Sequence, residues 1–149
     1  MTILKETERL HDVLGPVYFD NGTGIPKINL EDYEPFWVGR PKGWLAYGVE
    51  ILLSGDISGP APDSLDRAVQ VFRFLDKIEK EGRDLIRPKI INTPSTDFDV
   101  THYEADLLWM DCRQINITVG FEWEGYAYIS WQATLNETNN ITDLQEIIS

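Results

Sequence analysis

The chain is poor in the residues that most often carry chemistry. It has one cysteine, Cys112, and two histidines, His11 and His102, among 149 residues. A single thiol excludes an internal disulfide and fits a reducing compartment. Neither histidine has a second histidine or a cysteine at a ligand spacing, which removes the usual zinc arrangements. There is no unbroken apolar run of about 18 residues, so no membrane-spanning helix is expected. The opening MTILKETERLHD lacks the basic and apolar segments of a secretory leader, and a cytoplasmic protein is expected. Bases are also nearly absent after residue 89, where Arg113 stands alone against ten acids.

Recognisable catalytic motifs are missing too. No serine lies in a G-x-S-x-G elbow. SGDISGPAPDS, residues 54–64, is loop-like but lacks the G-K-[ST] ending of a phosphate loop, and Asp56 and Asp63 would repel phosphate. Cys112 sits between Asp111 and Arg113, whose charges pull its pKa in opposite directions, and is expected to be structural. Residues 97–106 bring Asp97, Asp99, His102, Glu104 and Asp106 close in sequence. Their spacing matches no Ca²⁺ loop, and a solvated acidic loop is the simpler expectation. FWVGRPKGW, residues 36–44, places Arg40 and Lys42 at a turn where they would suit an anion or merely tip a hairpin. No metal and no cofactor is expected.

What is present is a globular composition, 42% hydrophobic and 26% charged, with a net charge of −12. The length suits one domain with one core. Residues 63–89 are nearly neutral, whereas residues 90–149 hold most of the negative charge. Such a field repels nucleic acid and anionic membrane and steers a basic partner inward.

Residues 3–14 predict a short helix ended by Gly15-Pro16. Asn21-Gly22 predicts a turn between extended pieces. Alternation of Leu45, Tyr47, Val49, Ile51 and Leu53 predicts a strand over 44–54. Leu65, Ala68, Val69, Phe72, Leu75 and Ile78 recur at helical spacing, so a long helix follows, capped by Asp63 or Ser64 and stopped by Pro88. From about residue 106 a three-strand meander is expected: DLLWM, QINITVGF and YAYISWQATL. The last fourteen residues are expected to form a docked tail or a short helix. The fold class is therefore α+β: an antiparallel sheet ending in a β-meander, one face covered by a long central helix.

The aromatic stretch GFEWEGYAYISW, residues 120–131, fixes the register of the last hairpin. An even loop mixes apolar and polar residues on both faces. An odd loop sorts them: Phe121 with Ala127, Val119 with Ile129, Ile117 with Trp131 and Ile115 with Ala133 share an apolar face. Glu122, Tyr126, Tyr128, Thr118 and Ser130 share the other, and Trp123 falls near the tip. Burial at roughly 1.5–3 kcal/mol per large side chain outweighs differences between turn types. The odd register leaves Tyr126 and Tyr128 beside Glu122 on an open face, a composition suited to protein contact.

The succession VLGPVYF, WLAYGVEILLSGD, a helix from DSLDRAVQVF and a meander ending YAYISWQATL is similar to a group of small, uncharacterised bacterial cytosolic proteins. Proteins of that kind are found among the immunity proteins of bacterial toxin systems. The resemblance implies a partner, a basic toxin domain, and no catalytic residues. The first expectation is thus an acidic protein-binding module that contacts its partner through Asp106, Asp111, Glu122, Glu124, Tyr126 and Tyr128. The alternatives are an enzyme using carboxylates near His102 and a structural or adaptor protein acting through oligomerisation.

Overall fold

The computed structural model describes residues 1–21, 34–41, 49–91, 104–124 and 128–147. Two meanders share one sheet. The first comprises β1 (Thr2–Lys5), β2 (Glu8–His11), β3 (Gly15–Asp20), β4 (Phe36–Gly39) and β5 (Glu50–Asp56). The second comprises β7 (Asp106–Asp111), β8 (Thr118–Glu124), β9 (Tyr128–Leu135) and β10 (Ile141–Ile147). The two-residue β6 (Gly59–Pro60) pairs with the end of β5. Neighbouring strands are antiparallel within each meander, but β5 and β7 are adjacent and parallel, with Ile51 opposite Met110. The class is α+β and the sheet is mixed. A parallel pair needs a long crossover connection, and the helical segment between β5 and β7 supplies it.

That connection holds two helices, α1 (Pro62–Arg73) and α2 (Leu75–Ile91), rather than one. The break falls at Phe74, whose φ of −108° and ψ of 16° lie outside the helical well. Phe74 is half exposed there, although it fits the apolar stripe by spacing. Neither Asp63 nor Ser64 caps the helix. Ala61 stands at the cap without a side-chain bond and Pro62 opens the first turn. Ser64 is instead buried, donating to the Cys112 carbonyl (2.6 Å) and accepting from the Ser54 N–H (3.1 Å), so it ties α1 to both meanders. Pro88 does not stop α2. It lies on the exposed side, and the helix continues to Ile91.

One apolar cluster joins the layers. Val17, Trp37, Ile51 and Leu53 come from the first meander, Ala68, Val71, Ile78 and Ile86 from the helices, and Met110, Val119, Phe121 and Trp131 from the second. Gly82 decides how close α2 can come. A methyl group at this position would overlap the Phe121 ring, so the residue that weakens the helix locally also lets it seat on the sheet.

Two terminal expectations fail. Residues 3–14 form the β1–β2 hairpin and the turn into β3, not a helix. Arg9 explains the preference: it is buried, its Nη1 donates to the carbonyls of Lys5, Glu6 and Glu8, and its guanidinium lies 5.1 Å from the Trp37 ring centroid. The next turn is held by His11 Nδ1, which accepts from the Val13 and Leu14 N–H groups at 3.1 Å. At the other end, residues 141–147 form β10, paired along β9 from Ile141↔Leu135 to Ile147↔Ser130. The predicted strand over 44–54 begins, among described residues, at Glu50. Its residues 44–48 and the Gly22 half of the Asn21-Gly22 turn lie outside the described residues.

Candidate functional site

The last hairpin takes the odd register. Glu124 pairs with Tyr128 across residues 125–127, and above them Trp123↔Ile129, Phe121↔Trp131 and Val119↔Ala133. The pairing lies further along β9 than first expected, yet each residue keeps its face, because the displacement is even. Two details change. Trp123 is a fully buried core residue, not a tip residue, and Ile115 is 85% exposed in the turn before β8, not part of the core. A later loop lengthens both strands at the tip end, which draws Trp123 inward and frees Ile115.

The face away from the helices carries Thr118, Glu122 and Glu124 from β8 and Ser130, Gln132 and Thr134 from β9. Asp106 stands opposite Glu122, and Asp111 opposite Thr118. Their electrostatic settings differ. Arg113 grips Asp111 with Nε at 2.9 Å and Nη2 at 2.8 Å, and Arg83 reaches Asp106 at 3.4 Å. Glu122 is half-buried and accepts from Ser130 Oγ at 3.4 Å, while Glu124 is exposed. Tyr128 is placed by its backbone opposite Glu124; its side chain, and all of Tyr126, lie outside the described residues. The negative charge of this face is therefore graded, neutralised near β5 and stronger toward β8 and β10, where Asp143, opposite Thr134, is exposed.

Trp109 is the feature that simple alternation misses. A bulge between Leu107 and Trp109 inserts one residue into β7. Leu107 faces the core, and after the extra residue Met110 does so again. Trp109 is thereby turned to the outer face, opposite Gly120 on one side and Glu50 on the other. Its indole lies directly on Gly120, where a Cβ would collide with the ring. An interior strand glycine beside a tryptophan-bearing strand is the signal that would have pointed to it. Glu50 beside it is held by Arg40 at 2.8 Å, so the anion site imagined at Arg40 is taken by a carboxylate. Lys42 lies outside the described residues.

Among the described residues no group of three or more His, Cys, Asp or Glu side chains is placed to hold a metal ion. His102, Asp97 and Asp99 lie outside them, and Glu104 is engaged by Arg87. Cys112 is buried, and desolvation, reinforced by Asp111 and opposed by Arg67, pushes its thiol up to about 12. Such a thiol stays protonated and is a poor nucleophile. No helix of the described residues is long and apolar enough to cross a membrane. Comparison with protein-family models, curated proteins and solved structures finds no match for this chain.

Proposed function

We propose that this chain is a cytoplasmic protein-binding module that takes up a basic partner on the outer face of its second meander. The observation that carries the reading is Trp109 lying over Gly120 on the outer face, with Glu122 two residues along the same neighbouring strand. An indole face beside carboxylates suits an arginine or lysine, which gains roughly 0.5–2 kcal/mol over the ring as desolvation increases. The exposed acids Glu124 and Asp143 supply the surrounding field. Electrostatic steering then speeds encounter, and the central aromatic slows release. The concrete form of the proposal is an immunity protein that masks a basic toxin domain, as the sequence resemblance implies.

The test is affinity capture at low and at physiological salt with the wild type and a Trp109→Ala/Glu122→Arg double variant. Recovery of one basic protein by the wild type alone, weakened by salt, supports the reading. Equal recovery by both proteins at both salt concentrations would sink it. A second reading, assembly through the amino-terminal hairpin, is favoured by the exposed Ile3, Leu4 and Leu10. Light scattering decides it: a monomer at high concentration removes it. The enzyme reading rests on His102 and its neighbours and has no support among the described residues.

A further inference from the structure

A second feature lies away from that face, where α1 meets two turns of the second meander. Arg67, Gln70 and Val71 of α1, residues 115–117 and residues 134–139 together with Thr142 line a cleft of about 740 Å³. That volume is in the range of sites for small organic ligands. Val71, Ile117 and Leu135 give it an apolar, buried base, and Ile115 stands at its rim with 85% of its surface exposed.

The far wall is fixed before any ligand arrives. Asn136 Oδ1 accepts from the Thr138 N–H, the Thr138 hydroxyl and the Asn140 N–H, at 3.0, 2.9 and 2.9 Å. Asn139 adopts a left-handed φ of 62° within this turn. From the other side α2 fastens it, with Lys77 Nζ donating to Asn140 Oδ1 (2.7 Å) and Glu81 Oε1 accepting from the Ile141 N–H (3.1 Å).

Arg67 is the chemical singularity of the cleft. Arg40, Arg83, Arg87 and Arg113 each hold a carboxylate, and Arg9 bonds three backbone carbonyls. Arg67 makes one hydrogen bond among the described residues, from Nη2 to the Cys112 carbonyl at 3.1 Å. Among the described residues no acceptor reaches its buried Nε. Most of a five-donor planar fork therefore stays unused in a chain rich in acids, and that fork matches a carboxylate. The one acid in the lining, Glu137, is exposed on the turn. One cation and one acid suit a single negative charge and disfavour a polyanion such as a diphosphate.

We propose that this cleft binds a monocarboxylate with an apolar body, its carboxylate on Arg67 and its body against Val71, Ile115 and Ile117. The test titrates octanoate into the full chain and follows amide shifts by NMR, alongside 1-octanol and octyl phosphate. Saturable shifts confined to residues around 67–71, 115–117 and 134–142 are expected. Arg67→Gln should weaken octanoate at least about tenfold, the loss of a hydrogen-bonded charge partner. Ile115→Ser changes an exposed residue and leaves the fold intact; it should weaken octanoate by roughly threefold or more through lost apolar contact. Trp109→Ala should leave octanoate affinity unchanged, which separates this site from the partner-binding face. Equal binding of 1-octanol, tighter binding of octyl phosphate, or octanoate affinity indifferent to both cleft variants would overturn the proposal.

Discussion

The two meanders share a core and a construction, yet they treat their outer faces in opposite ways. In the second, inward and outward residues separate cleanly: Val119, Phe121 and Trp123 are buried while Thr118, Glu122 and Glu124 face out. In the first, all four residues of β4 are buried. Phe36 and Val38 point away from the helices and are still covered, with Arg113 over the Phe36 ring at 5.2 Å. A strand buried on both faces has no alternation to display, whereas a one-sided strand must display it. The region with the wetter outer face is thus both the more legible and the more available to a partner.

The largest test of this comparison asks whether the halves are one cooperative unit. Trp37→Ala and Trp123→Ala each remove a fully buried indole and should each cost about 3–5 kcal/mol. In urea both variants should shift a single transition. A separate early transition in the Trp37 variant would mean that the first meander melts alone. Next comes the helix seated on the second meander. Gly82→Ala improves helix propensity, but the new methyl meets the Phe121 ring; a net loss of about 1–3 kcal/mol is expected from overpacking. Stabilisation would mean that α2 does not press on the sheet there.

Cys112, beside the junction of the meanders, adds a pH signature. Its folded pKa of about 12 stands above the 9.0 of an ordinary solvated thiol. Above pH 9 the unfolded chain releases a proton that the folded chain keeps, so stability falls as pH rises toward 12. At pH 10 the wild type should have lost about 1 kcal/mol more than Cys112→Ala, both referred to pH 8. Parallel pH profiles for the two proteins would refute the burial of this thiol. The smallest effect belongs to the outermost hairpin. Ile3 is 70% exposed, and Ile3→Ser should change stability by no more than about 0.5 kcal/mol. A larger loss would show that the hairpin is covered in solution.

Periodicity accounts for what could be read in advance. The second meander and the odd loop follow from two-residue alternation, and the helical segment from its apolar stripe. The break at Phe74 left no mark in that stripe. Residues 3–14 are rich in helix-forming side chains, and their extended form is held by pairing with β3 and by Arg9 packed on the distant Trp37, neither of which the local sequence displays. Of the acids expected to form the partner surface, Glu122 and Glu124 stand on the outer face, while Asp111 and Asp106 are partly spent on arginines. Trp109 escaped because a bulge adds one residue without altering composition, and the cleft at Arg67 because it is built from three segments distant in sequence.

The parallel junction of β5 and β7 also bears on how the chain reaches this arrangement. Among the described residues every other pairing along the main sheet joins strands consecutive in the chain, and such contacts close smaller loops. Only Glu50 with Trp109 and its neighbours close a large one. Loop-closure entropy makes that closure the slow step, with the hairpins forming beforehand. Substitutions at Ile51 or Met110 should then slow refolding, while those in the outer strands should chiefly hasten unfolding. The sheet assembles as two quick halves that wait on one seam.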